Sequence, residues 1–175
     1  MRERTTLLQP ITNEYIGDPM TEVHNNLRIW SINANTILLR SGLAELHELC
    51  HQVQKYNISI LCFQEVNLDL LNHNIRRSIE QVFNQYFVNK VYFSNTPTKA
   101  PTHWKPGGVM TVVLNEVVHS VVSNQADDLG RWCQVTITNN NKQALTIYNV
   151  YNTVHNVVAK AGPATIWMQQ WKILC

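Results

Sequence analysis

The sequence predicts an α+β fold in which a mixed β-sheet is backed by helices. Two short apolar runs, "LRIWSI" (27–32) and "ISILCF" (58–63), flank an amphipathic segment, and this strand–helix–strand order is typical of a parallel crossover. After a second amphipathic segment, five short β-rich runs separated by turn residues follow, which favours antiparallel pairing. The chain therefore combines one parallel pair with an antiparallel set.

The two helices are predicted from apolar residues that recur every three to four positions. The first, "SGLAELHELCHQVQKY", begins at Ser41 as a candidate N-cap, and the second spans 68–84. A third helix is predicted near the end of the sequence, with Pro163 in an early position. The β-rich runs are "FVNKVYF", "GVMTVVL", "HSVVS", "RWCQVTI" and "ALTIYNVY".

Composition sets the domain organisation. The 175 residues, 45% apolar and 15% charged, suit one domain with a real core. Residues 1–26 are polar, contain Pro10 and Pro19, and are predicted to be a disordered or linker lead, so the ordered domain should span 27–175. No apolar run is long enough to cross a bilayer, and we expect an intracellular protein without a membrane partner, with a nuclear location left open.

Charge, cysteines and histidines say little about chemistry. The net charge of +2 neither supports nor excludes DNA as a partner. The four cysteines stand singly, which favours reduced, partly buried thiols. His47 and His51 lie four residues apart on the first predicted helix, but no second ligand cluster accompanies them, so a metal site there is disfavoured.

Polar residues follow the two predicted parallel strands. Asn33 and Asn35 come after the first strand, and Gln64 and Glu65 come after the second. If the strands are neighbours, these side chains converge on one rim, and carboxylate and amide oxygens suit Mg²⁺. Taken singly, the asparagines are more typical of turns, and Glu65 of a solvated acid or a helix cap.

The last β-rich run, within "LTIYNVYNTVHN", is a third candidate. Tyr148 and Tyr151 lie three positions apart, so strand alternation should point them to opposite sides and only one can reach a given cleft. His155 has a suitable reference pKa for a general base, but an exposed loop histidine is far commoner than a catalytic one. Asn152 follows the same strand.

The order of these blocks resembles a known family. "LRIWSINAN", "ISILCFQEV", "KPGGVMTVVL", "LGRWCQVTI" and "LTIYNVYN" are similar to the first half of the endonuclease/exonuclease/phosphatase superfamily, which includes abasic-site endonucleases and the endonuclease domains of retrotransposon polyproteins. The resemblance covers 27 to about 171, and "KPGG", "LGRW" and "AGPATIWMQQW" are most similar to the retroelement type. It implies the N-terminal half of a four-layered α/β sandwich.

The resemblance also implies site residues. Glu65 corresponds to the metal-binding acid, Asn33 to an asparagine at the metal and phosphate site, and Tyr151 to a tyrosine that points at the scissile phosphate. Asn35 stands where the family commonly has an acid, so it is a metal ligand without the carboxylate charge. The implied cofactor is Mg²⁺ or Mn²⁺, and the implied substrate is DNA.

The family's water-activating "G-D-x-N" segment and its terminal "S-D-H" segment do not occur in these 175 residues. We therefore expect the missing C-terminal half of the domain as a partner and little or no nuclease activity from the chain alone. The one pair of adjacent acids, Asp127 and Asp128, is expected to lie in a turn on a solvated face.

Two alternatives remain open from the sequence. A phosphoesterase of the same fold would act on a lipid or inositol phosphate. A non-catalytic remnant would bind nucleic acid or protein through Trp104, Lys105, Arg131 and Trp132, because aromatic and basic side chains can stack on bases and contact phosphates.

Overall fold

The structure is a computed structural model that describes residues 26–34, 43–95 and 107–151, and these ranges form helices and two β-sheets. The α+β fold predicted from the sequence is confirmed. In chain order the elements are β1 (Ile29–Asn33), α1 (Ala44–Lys55), β2 (Ile60–Gln64), α2 (His73–Asn84), β3 (Asn89–Ser94), β4 (Val109–Leu114), a 3-10 helix (Asn115–Ser120), β5 (Val121–Ala126), β6 (Trp132–Thr138) and β7 (Ala144–Val150).

The first sheet has the strand order β1-β2-β4-β3, and the second has the order β5-β6-β7. β1 and β2 are parallel, as the crossover pattern predicts, with Asn33 in register with Gln64 at their carboxyl ends. Every other strand pair is antiparallel. The mixed first sheet thus places the ends of β1 and β2 side by side.

Both faces of β2 are covered, which explains its uninterrupted apolar run. Leu61 and Phe63 pack in the cluster that holds the buried faces of α1 and α2. Ile60 and Cys62 point the other way and pack with Val135 of β6 and other residues of the second sheet. The protein is therefore layered as helices, first sheet and second sheet.

The second helix begins later than the predicted span of 68–84. α2 starts at His73, because the Asn72 side chain accepts a hydrogen bond from the Asn74 backbone N–H at 3.0 Å and caps the helix. Leu71, which lies within the predicted span, is 52% exposed. Leu68 and Leu70 are buried, but from the loop that precedes the helix.

The run "HSVVS" was expected to be strand throughout, and this prediction is wrong for its first half. A 3-10 helix occupies Asn115–Ser120, and β5 begins only at Val121. Asn115 has a positive φ of 52°, and its N–H bonds to the Val88 carbonyl at 2.6 Å, which turns the chain out of β4. Val117 and Val118 still pack against the core between the sheets.

Several predictions lie outside the described residues. These are the lead before residue 26, Asn35, the cap at Ser41, Trp104 and Lys105, Asn152 and His155, and the third helix. Among the helices that the structure describes, none is long and apolar enough to span a membrane.

Cys50, Cys62 and Cys133 are free and buried, as predicted. Burial raises the pKa of Cys50 and Cys133 to about 12 and that of Cys62 to about 11. These thiols are therefore protonated at neutral pH and serve as packing groups. His47 Nδ1 lies 2.9 Å from the Tyr86 hydroxyl, and the His51 ring meets the same tyrosine edge-on.

Replacing Gly130 with alanine tests the close approach of its backbone to Gly108. Gly130 has a φ of 72°, and a Cβ on it would stand 3.3 Å from the backbone nitrogen of Gly108. We expect Gly130→Ala to lower the free energy of unfolding by at least about 1–2 kcal/mol, the usual cost of a left-handed L-residue. Urea denaturation measures this loss, with exposed Ser123→Ala as the control. Equal stability of the two variants would contradict the close approach.

Candidate active site

The site begins with the neighbouring ends of β1 and β2. Asn33 is the last residue of β1, and its register partner Gln64 is the last residue of β2. The Ala34 N–H donates to the Gln64 carbonyl at 2.7 Å and extends the pairing by one residue. Glu65 follows directly, so the backbone positions of Asn33, Gln64 and Glu65 share one edge of the sheet, as predicted. Asn35, the fourth predicted member of this rim, lies outside the described residues.

The second sheet brings Tyr151 to the same rim. Tyr151 directly follows β7, and its backbone N–H donates to the Arg131 carbonyl at 2.7 Å. Its phenol donates to Glu65 Oε1 at 2.9 Å, which joins residues 86 positions apart. The Tyr148 ring lies 6.4 Å from the Trp132 ring between centroids. Tyr148 nevertheless lines the same open cleft as Tyr151, so the prediction that only one of the two tyrosines reaches a given cleft is wrong, because Tyr151 lies past the last residue of β7.

Tyr151 is a hydrogen-bond donor in this site. Burial raises the pKa of the phenol, the hydrogen bond to Glu65 and the charge of that carboxylate raise it further, and the resulting pKa is about 12. The phenol is therefore protonated at neutral pH and acts as a neutral donor, not as a base.

The backbone around Glu65 adopts an uncommon conformation. Glu65 and Asn67 have positive φ angles of 51° and 54°. Three hydrogen bonds hold this turn to the start of β4: Val66 N–H to the Gly108 carbonyl at 3.2 Å, Asn67 N–H to the Gly107 carbonyl at 2.8 Å, and Gly107 N–H to Asn67 Oδ1 at 2.8 Å. Positive φ in non-glycine residues is costly and concentrates at functional sites, which fits the position of Glu65.

A buried ion pair supports the Tyr151 side of the site. Arg131 Nε lies 2.6 Å from Asp127 Oδ2, and the two side chains are only 2% and 6% exposed. Asp127 Oδ1 also accepts from the backbone N–H groups of Arg131 and Trp132, at 2.9 and 3.2 Å, and Ser94 Oγ donates to it at 2.5 Å. Because the Arg131 carbonyl holds the Tyr151 backbone, this cluster fixes the start of β6 against the end of β7.

Two predictions about this region are wrong. Asp127 lies in a turn, as expected, but its carboxylate is buried rather than solvated because Arg131 and three hydrogen-bond donors enclose it. Arg131 is buried in the same pair, so it cannot reach a nucleic-acid or protein partner as the non-catalytic reading requires. Trp132 is half-buried, and Asp128 is exposed.

An open cleft of about 510 Å³ adjoins the site between β1 and β7. Asn33, Gln64 and Tyr151 lie along it, together with the apolar side of Ile29. Ile29 is 45% exposed. The cleft therefore offers access to the polar rim from the side where β1 faces the second sheet.

Sequence reasoning missed Asn149. This residue is 2% exposed, and its amide makes hydrogen bonds to β2, to β4 and to Gln64. The signal was present, because strand alternation places Asn149 with the inward residues of β7, where an amide is unusual. The role of Asp127 was also missed, since a sequence alone does not show that two adjacent acids differ in burial.

The donors at the rim fit a hard divalent cation. Glu65 supplies a carboxylate, and Asn33 stands at the adjacent strand end with an amide oxygen. Within 26–34, 43–95 and 107–151 no three His, Cys, Asp or Glu side chains gather into one cluster. One carboxylate with amide oxygens suits Mg²⁺ or Mn²⁺, which keep several waters and take the remaining ligands from a substrate phosphate.

Comparisons with known proteins place the fold. No protein-family model and no curated protein matches the chain. Its structure is similar to an endonuclease/exonuclease/phosphatase family protein from Leptotrichia buccalis C-1013-b, with a TM-score of 0.58 and 12% identity over 84% of this chain and 63% of that one. At this identity the likeness shows the fold alone, and the chain spans 63% of that protein's length.

A second similar structure is that of ANGEL2, described as a 2',3'-cyclic phosphatase in complex with adenosine-2',3'-vanadate. The identity is 14%, the match covers 70% of this chain and 40% of that one, and the TM-score is 0.39. A likeness this low carries no weight for the chemistry of the chain.

The Asp127–Arg131 pair predicts a pH dependence of stability. Burial alone would raise the pKa of Asp127, but the hydrogen bonds from Ser94, Arg131 and Trp132 outweigh it and hold that pKa below its usual range. Because the native carboxyl binds its proton less readily than the unfolded one, its contribution is complete above about pH 4 and is lost as the pH falls further.

Urea unfolding at pH 7 and pH 3 tests this dependence with Asp127→Asn. At pH 7 we expect the free energy of unfolding of the variant to be about 3–5 kcal/mol lower than that of wild type, because the substitution leaves the Arg131 charge buried without its carboxylate partner. At pH 3 the difference from wild type should narrow. Exposed Asp128→Asn is the matched control and should stay close to wild type at both pH values. If Asp127→Asn lowers the free energy of unfolding by the same amount at both pH values, the lowered pKa of Asp127 is contradicted.

Proposed function

The chain has the endonuclease/exonuclease/phosphatase fold, and we propose that it belongs to a divalent-cation-dependent phosphodiester hydrolase that cleaves DNA. The observation that carries this proposal is the 2.9 Å hydrogen bond between Tyr151 and Glu65. It joins the residue after β7 of the second sheet to the residue after β2 of the first sheet. Asn33 lies beside it, at the end of the neighbouring strand β1. A carboxylate, an amide and a neutral phenol at one rim are the groups that a phosphate and its cation require.

Each residue has a distinct role in the proposed reaction. Glu65 holds Mg²⁺ or Mn²⁺, with Asn33, and Asn35 from outside the described residues, as further oxygen ligands. When bound, the cation neutralises charge that develops on the phosphate oxygens. When the cation engages the Glu65 carboxylate, the single O–H of Tyr151 would turn from Glu65 Oε1 to a nonbridging phosphate oxygen and donate a hydrogen bond to it.

Activation of the attacking water requires a base beyond these residues. Asp127 does not supply it, because its carboxylate is committed to Arg131, Ser94 and Trp132. The sequence contains neither "G-D-x-N" nor "S-D-H", the segments that carry this chemistry in the family it resembles. We therefore propose that the chain alone hydrolyses DNA slowly or not at all and needs the second half of the sandwich.

DNA is proposed over other phosphodiesters on the strength of the "KPGG" and "GRW" blocks, which are similar to the retroelement branch. These blocks also have a physical part in the site. Gly107 and Gly108 hold the Glu65 turn, and Arg131 holds Tyr151 through its carbonyl. The proposed protein is thus an endonuclease of the retroelement type.

Metal binding by the full chain tests the role of Glu65 without depending on activity. We expect Mn²⁺ to broaden the NMR signals of Asn33 and Tyr151 selectively, and Glu65→Gln to weaken this binding at least about tenfold because it removes the carboxylate. Glu80→Gln is the matched control, since Glu80 lies on α2 in a partly exposed pair with Arg76. If Glu65→Gln binds Mn²⁺ as wild type does, the proposal fails.

Nicking of supercoiled plasmid tests the expected lack of activity. In Mg²⁺ the 175-residue chain should nick plasmid or abasic DNA no faster than its Glu65→Ala variant, because its sequence contains neither of the segments that carry the base in the family it resembles. Nicking that Glu65→Ala abolishes would overturn this expectation, although it would support Glu65 as the metal ligand.

A further inference from the structure

The Asn149 side chain lies within hydrogen-bonding distance of four groups next to the site. Its Nδ2 lies 3.1 Å from the Phe63 carbonyl, 3.0 Å from the Met110 carbonyl and 3.2 Å from Thr111 Oγ1. Its Oδ1 accepts from Gln64 Nε2 at 2.6 Å. One amide from β7 thus bonds to the backbone of both β2 and β4 and to the side chain that ends β2.

These partners lie on β2 within two residues of Glu65, or on β4 where it pairs with that part of β2. Phe63 and Met110 face each other across the β2–β4 ladder. Gln64 immediately precedes Glu65, and Asn149 stands two residues before Tyr151. Asn149 therefore holds the ends of β2 and β7, the strand residues that directly precede Glu65 and Tyr151, from inside the core.

The distance between Glu65 and Tyr151 is a distance between two sheets. The Arg131 carbonyl holds the Tyr151 backbone within the second sheet. That hydrogen bond does not fix the position of Tyr151 relative to the first sheet. The apolar core between the sheets presses them together without fixing a lateral position, because hydrophobic packing is non-directional. Directional hydrogen bonds between the sheets fix that position. Ser94 of β3 donates to Asp127, and Thr111 of β4 meets Cys133 of β6. The bonds of Asn149 to β2 and β4 are those that lie next to Glu65 and Tyr151 in the chain.

A buried amide at this position needs a reason, since an apolar side chain of similar size would pack there without polar atoms to satisfy. We infer that Asn149 is a positioning residue for the proposed hydrolysis, which sets the end of β7 against β2 and β4 so that the Tyr151 phenol meets the Glu65 carboxylate. This inference rests on the proposed function for its purpose, but its geometry can be tested in the metal-free chain.

NMR of the full chain with tyrosine labelled with ¹³C at Cζ provides the test, because this carbon reports the hydrogen bond of the phenol. The chain has six tyrosines, and Tyr151→Phe identifies the signal of Tyr151. Glu65→Ala removes the acceptor and gives the position of that signal when the contact is lost. We expect Asn149→Leu to move the Tyr151 signal to the Glu65→Ala position, while the Tyr151 amide stays protected from exchange by its bond to the Arg131 carbonyl.

A stability control separates positioning from mere support of the fold. Val135→Ala opens the fully buried core between the same two sheets, and it should lower stability without moving the Tyr151 signal. Should Asn149→Leu not fold, Asn149→Ser keeps a small polar side chain that cannot reach both strands, and the same shift is expected. A wild-type Tyr151 signal in a folded Asn149 variant would overturn the inference.

The outcomes for this inference and for the proposed function are distinguishable. The tyrosine signal is read without metal or substrate, so it can shift as expected even if Glu65 binds no Mn²⁺. Conversely, Mn²⁺ binding that depends on Glu65 would stand even if the Asn149 variants left the Tyr151 signal unmoved.

Discussion

The packing of the second sheet across one face of the first is the interaction on which the rest of the structure depends. Ile60, Cys62 and Val113 of the first sheet meet Val135 and Ile137 of the second in a small apolar core. Glu65 leaves the first sheet and Tyr151 leaves the second, so neither sheet alone contains the site. The polar contacts through Asn149 close the same interface at the end where the site lies.

Conformational strain at Glu65 is maintained by the loops around it. The turn after β2 has two residues with positive φ, and three hydrogen bonds to Gly107 and Gly108 hold it in place. Gly130 in turn packs on Gly108, where a side chain would intrude. The "KPGG" and "LGRW" blocks, which are distant in the sequence, therefore meet in the structure. Together they support the turn that carries the Glu65 carboxylate.

Much of this arrangement follows from the sequence, and the remainder has identifiable causes. The parallel pair, the first helix and the rim of Asn33, Gln64 and Glu65 were predictable because strand and helix periods are local signals. Strand alternation did not keep Tyr148 out of the cleft that Tyr151 lines. The start of α2 was misjudged because buried Leu68 and Leu70 extend the helical pattern into a loop. Burial of Asp127 and Arg131, and the bonds of Asn149, depend on distant partners that no local pattern contains.

We propose that Glu65 and Tyr151 belong to one cation-binding and phosphate-binding rim built across two sheets. A crystal of the full chain soaked in Mn²⁺, with anomalous scattering collected, provides the test. We expect an anomalous peak about 2 Å from a Glu65 carboxylate oxygen, on the side of Asn33, with the Tyr151 hydroxyl within hydrogen-bonding distance of the ligands of the cation. A peak at another group of ligands, with Glu65 bare at saturating Mn²⁺, would contradict it.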